Sequence, residues 1–304
     1  MLFESTLVCS LHSSSMIEQG SVLGIPPMVT LVITCLILAF VVFDGLKGLV
    51  KVSDAIVPFM SVLYILCCII VIFANISHIG EAFALIFKGA FSGTAAAGGF
   101  IGATFAIAVR QGLSRGVFSN DAGLGASAML MAQAEDHKHA AEAGSWAIME
   151  TFIDTIVICT LTGLIIIISG NWLVADDGSG LARFALQGVL GKAGVLICSV
   201  SLILFAFSTL TASMHSNRVA IENITNSKLW GMIAEAACIV TCVFGYFMDI
   251  TEALCWADFA NVLVLTVNVF CMLFLCKDLR NITDEYFFNP TDKIKALQRQ
   301  KKSK

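Results

Sequence analysis

Long apolar runs alternate with short polar interruptions along this chain, and they predict helices that cross a membrane. A spanning helix needs about 20 apolar residues. Runs of that kind lie at 28–46, 56–76, 144–170, 193–215, 231–248 and 253–276, with a longer composite region over 83–136. If the composite region crosses once, the pattern is all-α with about seven transmembrane helices, and the two ends face opposite sides. Residues 1–24 break the pattern. Glu4, Ser13, Ser14, Ser15 and Glu18 make this stretch mixed, and it predicts no full span.

The composite region contains the most informative polar stretch, RGVFSNDAGLG from Arg115 to Gly125. Hydrocarbon offers no partners to free backbone N–H and C=O groups, so irregular backbone at membrane depth is tolerated only where it is buried in protein or lines a cavity. Ser119, Asn120 and Asp121 are strong N-cap types. Gly123 and Gly125 permit backbone conformations closed to other residues. ASAMLMAQAE beyond them reads as a helix, which predicts a start near Ala122. Two half-helices meeting at a polar break can offer amides to an anion and carbonyls to an amine or a cation. A capped helix after a cytoplasmic loop explains the same residues, and the pattern alone leaves both open.

Composition supports a polytopic membrane protein. Of the residues, 58% are hydrophobic and only 13% charged, with mean hydropathy +0.88; soluble domains carry about 25% charged residues. The basic residues segregate. Lys47, Lys51, Lys138, Arg218, Lys228, Lys277, Arg280, Lys293, Lys295, Arg299, Lys301, Lys302 and Lys304 share one face of the seven-span arrangement, against Lys88, Arg183 and Lys192 on the other. Positive charge marks the cytoplasmic side, which places the C-terminus there. No basic patch lies outside the tail, so nucleic acid is not an expected partner. The eleven cysteines sit mostly in apolar runs with no metal-type spacing to histidine, and read as small buried apolar residues. GxSxG, HExxH and Walker motifs are absent, so no catalytic residues, resident metal or cofactor are expected.

Three further groups could carry chemistry. Ser208 and Thr209, in FAFST, could contribute hydroxyl oxygens to a cation cage, or bond back to their own helix. His215 and Arg218 beyond them suit the carbonyls of a helix end. Glu150 and Asp154 are four apart and share one helix face, where ionisable groups usually turn to the protein interior or a watery path. Asp258 and Asn261, in WADFANVL, cap a helix or pair between helices.

Several blocks together resemble the alanine/glycine:cation symporter family of sodium:amino-acid symporters. They are SRGVFSNDAGLGASA, METFIDTIVICTLTGLIIIISG, GIPPMVTLVI, DGLKGLVKVSDAIVPFMSVLYIL, TAAAGGFIGATFAIAVRQG and LFAFST, in the family's order from about Gly24 to Cys276. The resemblance implies the C-terminal part of a five-plus-five inverted-repeat transporter fold with a broken helix at 115–125. It implies plasma-membrane transport in which a sodium or proton gradient drives symport of a small neutral amino acid such as alanine or glycine. Phe118, Ser119, Asn120, Asp121 and Gly123 would then lie by the substrate, with Thr209 and Ser213, and Ser208 with Thr209 by the cation. The division that follows is 1–24 as the remnant of a truncated helix with an extracellular loop, 25–276 as a partial symporter domain, and 277–304 as a basic cytoplasmic tail.

The chain also departs from the family pattern. The family's GTGN-type motif of the first unwound helix does not occur, and members extend further at the N-terminus, by about three spans. Asp121 stands where glutamate is usual. The family reads FSTxxGWSYYGE after the eighth-helix threonine, whereas this chain reads FSTLTASMHSNR, with Ser213 in place of a tryptophan. A second reading is therefore a truncated, non-transporting remnant of such a symporter.

Overall fold

The computed structural model describes residues 2–91, 99–121, 123–132, 139–170, 178–248 and 250–288. Every regular element among them is helical: α1 (Leu2–Val22), α2 (Pro27–Ala74), a 3-10 turn (Ile76–His78), α3 (Ile79–Phe91), α4 (Gly99–Asn120), α5 (Ala126–Met131), α6 (Ala140–Thr151), a π-helical segment (Phe152–Ile158), α7 (Cys159–Ser169), α8 (Gly178–Thr225), α9 (Lys228–Phe244) and α10 (Ile250–Phe288).

The all-α class agrees with the hydropathy pattern, but the helix boundaries do not reproduce seven separate spans. Among the described residues, four helices are long and apolar enough to cross a membrane: Ile56–Ala74, Ala140–Ser169, Gly180–Thr225 and Glu252–Phe287. The segments 28–46 and 56–76 belong to one helix, the 48-residue α2. Nothing in DGLKGLVKVSDAI stops a helix, since Leu46, Leu49, Val50 and Ile56 hold helical spacing. At 1.5 Å per residue α2 is about 72 Å long, more than twice a hydrocarbon core. Lys47 and Lys51 therefore do not sit in a loop between two opposed spans. The last expected span also runs on, with α10 continuing past Cys276 to Phe288. Residues 289–304 of the expected tail lie outside the described residues.

The largest departure is at the N-terminus. Leu2–Val22, which looked too polar for a span, forms a helix of 21 residues at the centre of the fold, packed by α2, α8, α9 and α10. Its serines explain how. A helix leaves its last carbonyls without intrahelical partners. α9 ends at Phe244, and Ser10 and Ser13 of α1 donate to the Thr241 and Cys242 carbonyls at 2.9 and 2.8 Å. Ser199 of α8 donates to Gln19 Oε1 at 3.1 Å. The close approach needs Gly245, where a Cβ would overlap the Ser10 carbonyl oxygen.

α8 is the long partner of α2, and two apolar clusters lie along the pair. Cys9, Met16, Leu38, Leu210, Met214 and Cys238 build the first; Tyr64, Cys68, Val71, Ile165, Leu186 and Cys198 build the second. Non-helical backbone at Gly191 (φ 58°, ψ −137°) interrupts α8 within the second cluster, between Leu186 and Cys198. The outer surface stays apolar: Phe40 is 74% exposed and Phe274 86%. Exposure of that kind suits lipid as solvent, since lipid tails are as apolar as these side chains.

Candidate functional site

The polar stretch at 115–125 is a true helix break. α4 ends at Asn120, and Asp121 then turns to φ 52°, Gly123 to 90° and Gly125 to 89°. The Asp121 N–H still closes α4 on the Val117 carbonyl at 3.1 Å, and the Leu124 N–H reaches back to the Asp121 carbonyl at 3.2 Å. Left-handed backbone costs an L-residue about 1–2 kcal/mol, so the two glycines make the turn inexpensive and Asp121 carries the strain. The new helix begins at Ala126, four residues later than expected near Ala122, because the left-handed residues delay it. α5 has only six residues and no side-chain N-cap. So short a helix sums few peptide dipoles, and recognition here falls to individual N–H groups rather than to a macrodipole.

Neighbouring elements hold the break from two sides. On the first, the π segment presents Asp154, which accepts a 2.9 Å hydrogen bond from Ser119 Oγ, and Cys159 Sγ lies 3.1 Å from the same hydroxyl. Ser127, just beyond the break, hydrogen-bonds Glu150. The two carboxylates expected on one helix face therefore grip opposite ends of the break, Asp154 at the end of α4 and Glu150 at the start of α5. A π bulge widens one turn, and such bulges gather at functional sites. Composition gives no sign of it, because FIDTIVI reads as ordinary helix.

α10 holds the second side. Asn268 Nδ2 donates to the Gly123 carbonyl at 2.7 Å, and Leu265 Cδ1 lies 2.9 Å from where a Gly123 Cβ would sit. Arg115 pairs with Asp258 and lies over the Phe118 ring at 5.9 Å. Sequence reasoning singled out Asp258 but missed Asn268 and Leu265. A lone asparagine in the apolar run LVLTVNVF was the available signal.

The second expected group sits on α8. Ser208 and Thr209 both donate to the Phe205 carbonyl, at 2.9 and 3.1 Å, and Thr211 donates to the Phe207 and Ser208 carbonyls. Their hydrogens are thus turned onto their own helix, which leaves oxygen lone pairs for a cation. Ser213 is half-buried. None of the hydrogen bonds described above crosses from the break to Ser208, Thr209 or Ser213, although α5 packs on α8. Arg218 does not cap helix carbonyls as expected. It bridges Glu222 and the buried Glu235 of α9, both at 2.9 Å. His139 caps α6, accepting from the Ala141 N–H at 3.2 Å, and stacks on Tyr286 of α10. Among the described residues no group of three or more His, Cys, Asp or Glu side chains could hold a metal ion.

Known proteins resemble this chain over most of its length. A transporter of Haemophilus influenzae is 32% identical over 87% of the chain and 58% of its own length. The sodium/alanine symporter AgcS of Methanococcus maripaludis is 35% identical over 67% of the chain and 45% of its own length. A sodium/proton-dependent alanine carrier protein of Bacillus sp. strain PS3 is 27% identical over 91% of the chain and 65% of its own length. The chain thus spans about half the length of the curated relatives it matches. The sodium:alanine symporter family model matches residues 2–301, and the chain belongs to that family of membrane transporters.

Proposed function

We propose that the chain takes part in sodium-coupled symport of a small neutral amino acid across the plasma membrane, with the Asp121–Gly125 break as the solute site. The observation that carries this reading is the break itself, with left-handed backbone at Asp121, Gly123 and Gly125 between α4 and α5, in a family of symporters. Backbone N–H groups around Phe118–Gly123 would meet the solute carboxylate, and carbonyls at the end of α4 its ammonium group. Ser119, Asn120 and Asp121 would line that space. The coupling ion would meet the Ser208 and Thr209 oxygens on α8, hard ligands of the kind that hard cations take. Ser213, a small residue one turn beyond Thr209, would leave room for the solute on that side.

Alternating access would come from motion of the broken helix against its neighbours, within a five-plus-five inverted repeat of which this chain supplies the C-terminal part. The basic tail favours a cytoplasmic C-terminus. No covalent step belongs to this reading.

Uptake of labelled alanine into proteoliposomes tests it. The chain would be used alone and extended at its N-terminus with the corresponding segment of the Methanococcus relative. Uptake driven by an inward Na⁺ gradient, and abolished when choline replaces Na⁺, is expected from at least one form. Uptake driven by a proton gradient alone would replace the ion. No gradient-driven uptake by either form would overturn the symport reading.

A further inference from the structure

α10 lies along the broken helix with one face carrying Asp258, Asn261, Leu265 and Asn268. Steps of three, four and seven residues keep side chains on a single helical face. Three of the four end on the broken helix: Asp258 on Arg115, Leu265 against Gly123, and Asn268 on the Gly123 carbonyl. Asn261 is the fourth. It lies about 4.5 Å along α10 from Asp258, one turn on toward Leu265 and Asn268. The residue is only 5% exposed, and its side-chain Oδ1 is buried without a hydrogen-bond partner among the described residues.

A buried acceptor left without a donor destabilises a protein, whereas the same acceptor facing a charged donor gains a strong bond. An asparagine at such a position would be satisfied by a hydrogen supplied from elsewhere. Of the neighbouring tethers, Asn268 spends one Nδ2 hydrogen on Gly123, and Ser119 gives its only hydroxyl hydrogen to Asp154.

We infer that Asn261 is a substrate-contacting, specificity-determining residue whose Oδ1 accepts a hydrogen bond from the ammonium group of an amino acid held in the break. The inference rests on the transport reading above and extends it to α10. It gives α10 two roles, with Asp258, Leu265 and Asn268 holding the break in place and Asn261 reading its occupant. Discrimination follows directly. A solute with the same carboxylate but a hydroxyl in place of the ammonium offers a weaker, uncharged donor.

The test is equilibrium binding of labelled alanine to the purified full chain, alone and in its extended form, with unlabelled lactate as competitor. Asn261→Leu keeps the side-chain volume and removes the acceptor. It is expected to weaken alanine binding at least about tenfold, the scale of a hydrogen bond to a charged group, and to shrink the preference for alanine over lactate. Thermal stability should hold or rise, because the unpartnered acceptor is gone; this separates a contact from a structural role. Alanine affinity and alanine-to-lactate preference equal to those of the unaltered chain would overturn the inference, as would no alanine binding by either form. A shift in Na⁺ requirement with alanine affinity unchanged would also overturn it. Intact binding changes without gradient-driven uptake would sink the transport reading and leave the contact standing.

Discussion

Asn268 and Gly123 stand 145 positions apart, yet the Asn268 amide donates to the Gly123 carbonyl at 2.7 Å. That bond fixes the orientation of one peptide in the middle of the break, where regular helix cannot do so. Asn268→Leu is expected to keep the fold, at a cost of about 1 kcal/mol, which for a chain of this size lowers the melting temperature by about 2–4 °C. Alanine affinity should fall further than that loss implies, since the carbonyl becomes free to rotate. Calorimetry and binding measured on the same preparation check both.

Gly123→Ala should destabilise for two separable reasons. Left-handed backbone costs the new residue about 1–2 kcal/mol, and its Cβ would press on Leu265. Adding Leu265→Ala should relieve the contact and leave the backbone cost. A double-mutant cycle by thermal unfolding in detergent is predicted to show coupling between the two positions. Additive effects would mean that α10 does not press on the break.

The Arg218–Glu235 pair makes a prediction remote from the break. Glu235 is buried on α9, and among the described residues Arg218 on α8 is its ion-pair partner across the helices. Breaking a buried pair from one side strands a charge, at about 3–5 kcal/mol. Arg218→Ala should therefore be severe. The double change Arg218→Met with Glu235→Leu, of similar volume, should recover most of the loss. Melting temperatures of the single and double variants decide it.

Ser208 and Thr209 separate stability from coupling. Their hydroxyls bond back to the Phe205 carbonyl, an arrangement that contributes little to helix stability. Thr209→Ala is expected to leave the melting temperature nearly unchanged. If the oxygen also meets the coupling ion, the Na⁺ concentration for half-maximal uptake should rise about fivefold or more. An unchanged Na⁺ dependence removes Thr209 from the cation site.

How far the fold could be read in advance depended on where each residue's partner lies. The break was legible because its causes are local: Gly123 and Gly125 allow the turn, and Asn120 and Asp121 stop α4. Its restart at Ala126 was misplaced because the left-handed turn at Asp121 leaves no composition signal. α1 was illegible because the groups that satisfy Ser10 and Ser13 belong to α9, more than 200 positions away. Without them the same serines read as a loop. The polar residues at 47–55 suggested a loop, but with no proline or paired glycines to end it the helix continued to Ala74. Asp154 was visible as a charge in an apolar run, whereas its role as acceptor for Ser119 depends on the π segment, which only packing reveals.

The central claim is that the break between α4 and α5 holds the solute, and the chain carries its own reporter there. Cys159 is exposed and lies 3.1 Å from the Ser119 hydroxyl. Its alkylation by a small maleimide can be followed by site-resolved mass spectrometry, separately from the other cysteines. Alanine with Na⁺ is predicted to slow modification of Cys159 about fivefold or more, as a well-occupied site should, while alanine in choline leaves it unchanged. Equal rates with and without alanine, in a preparation shown to bind it, would contradict the account.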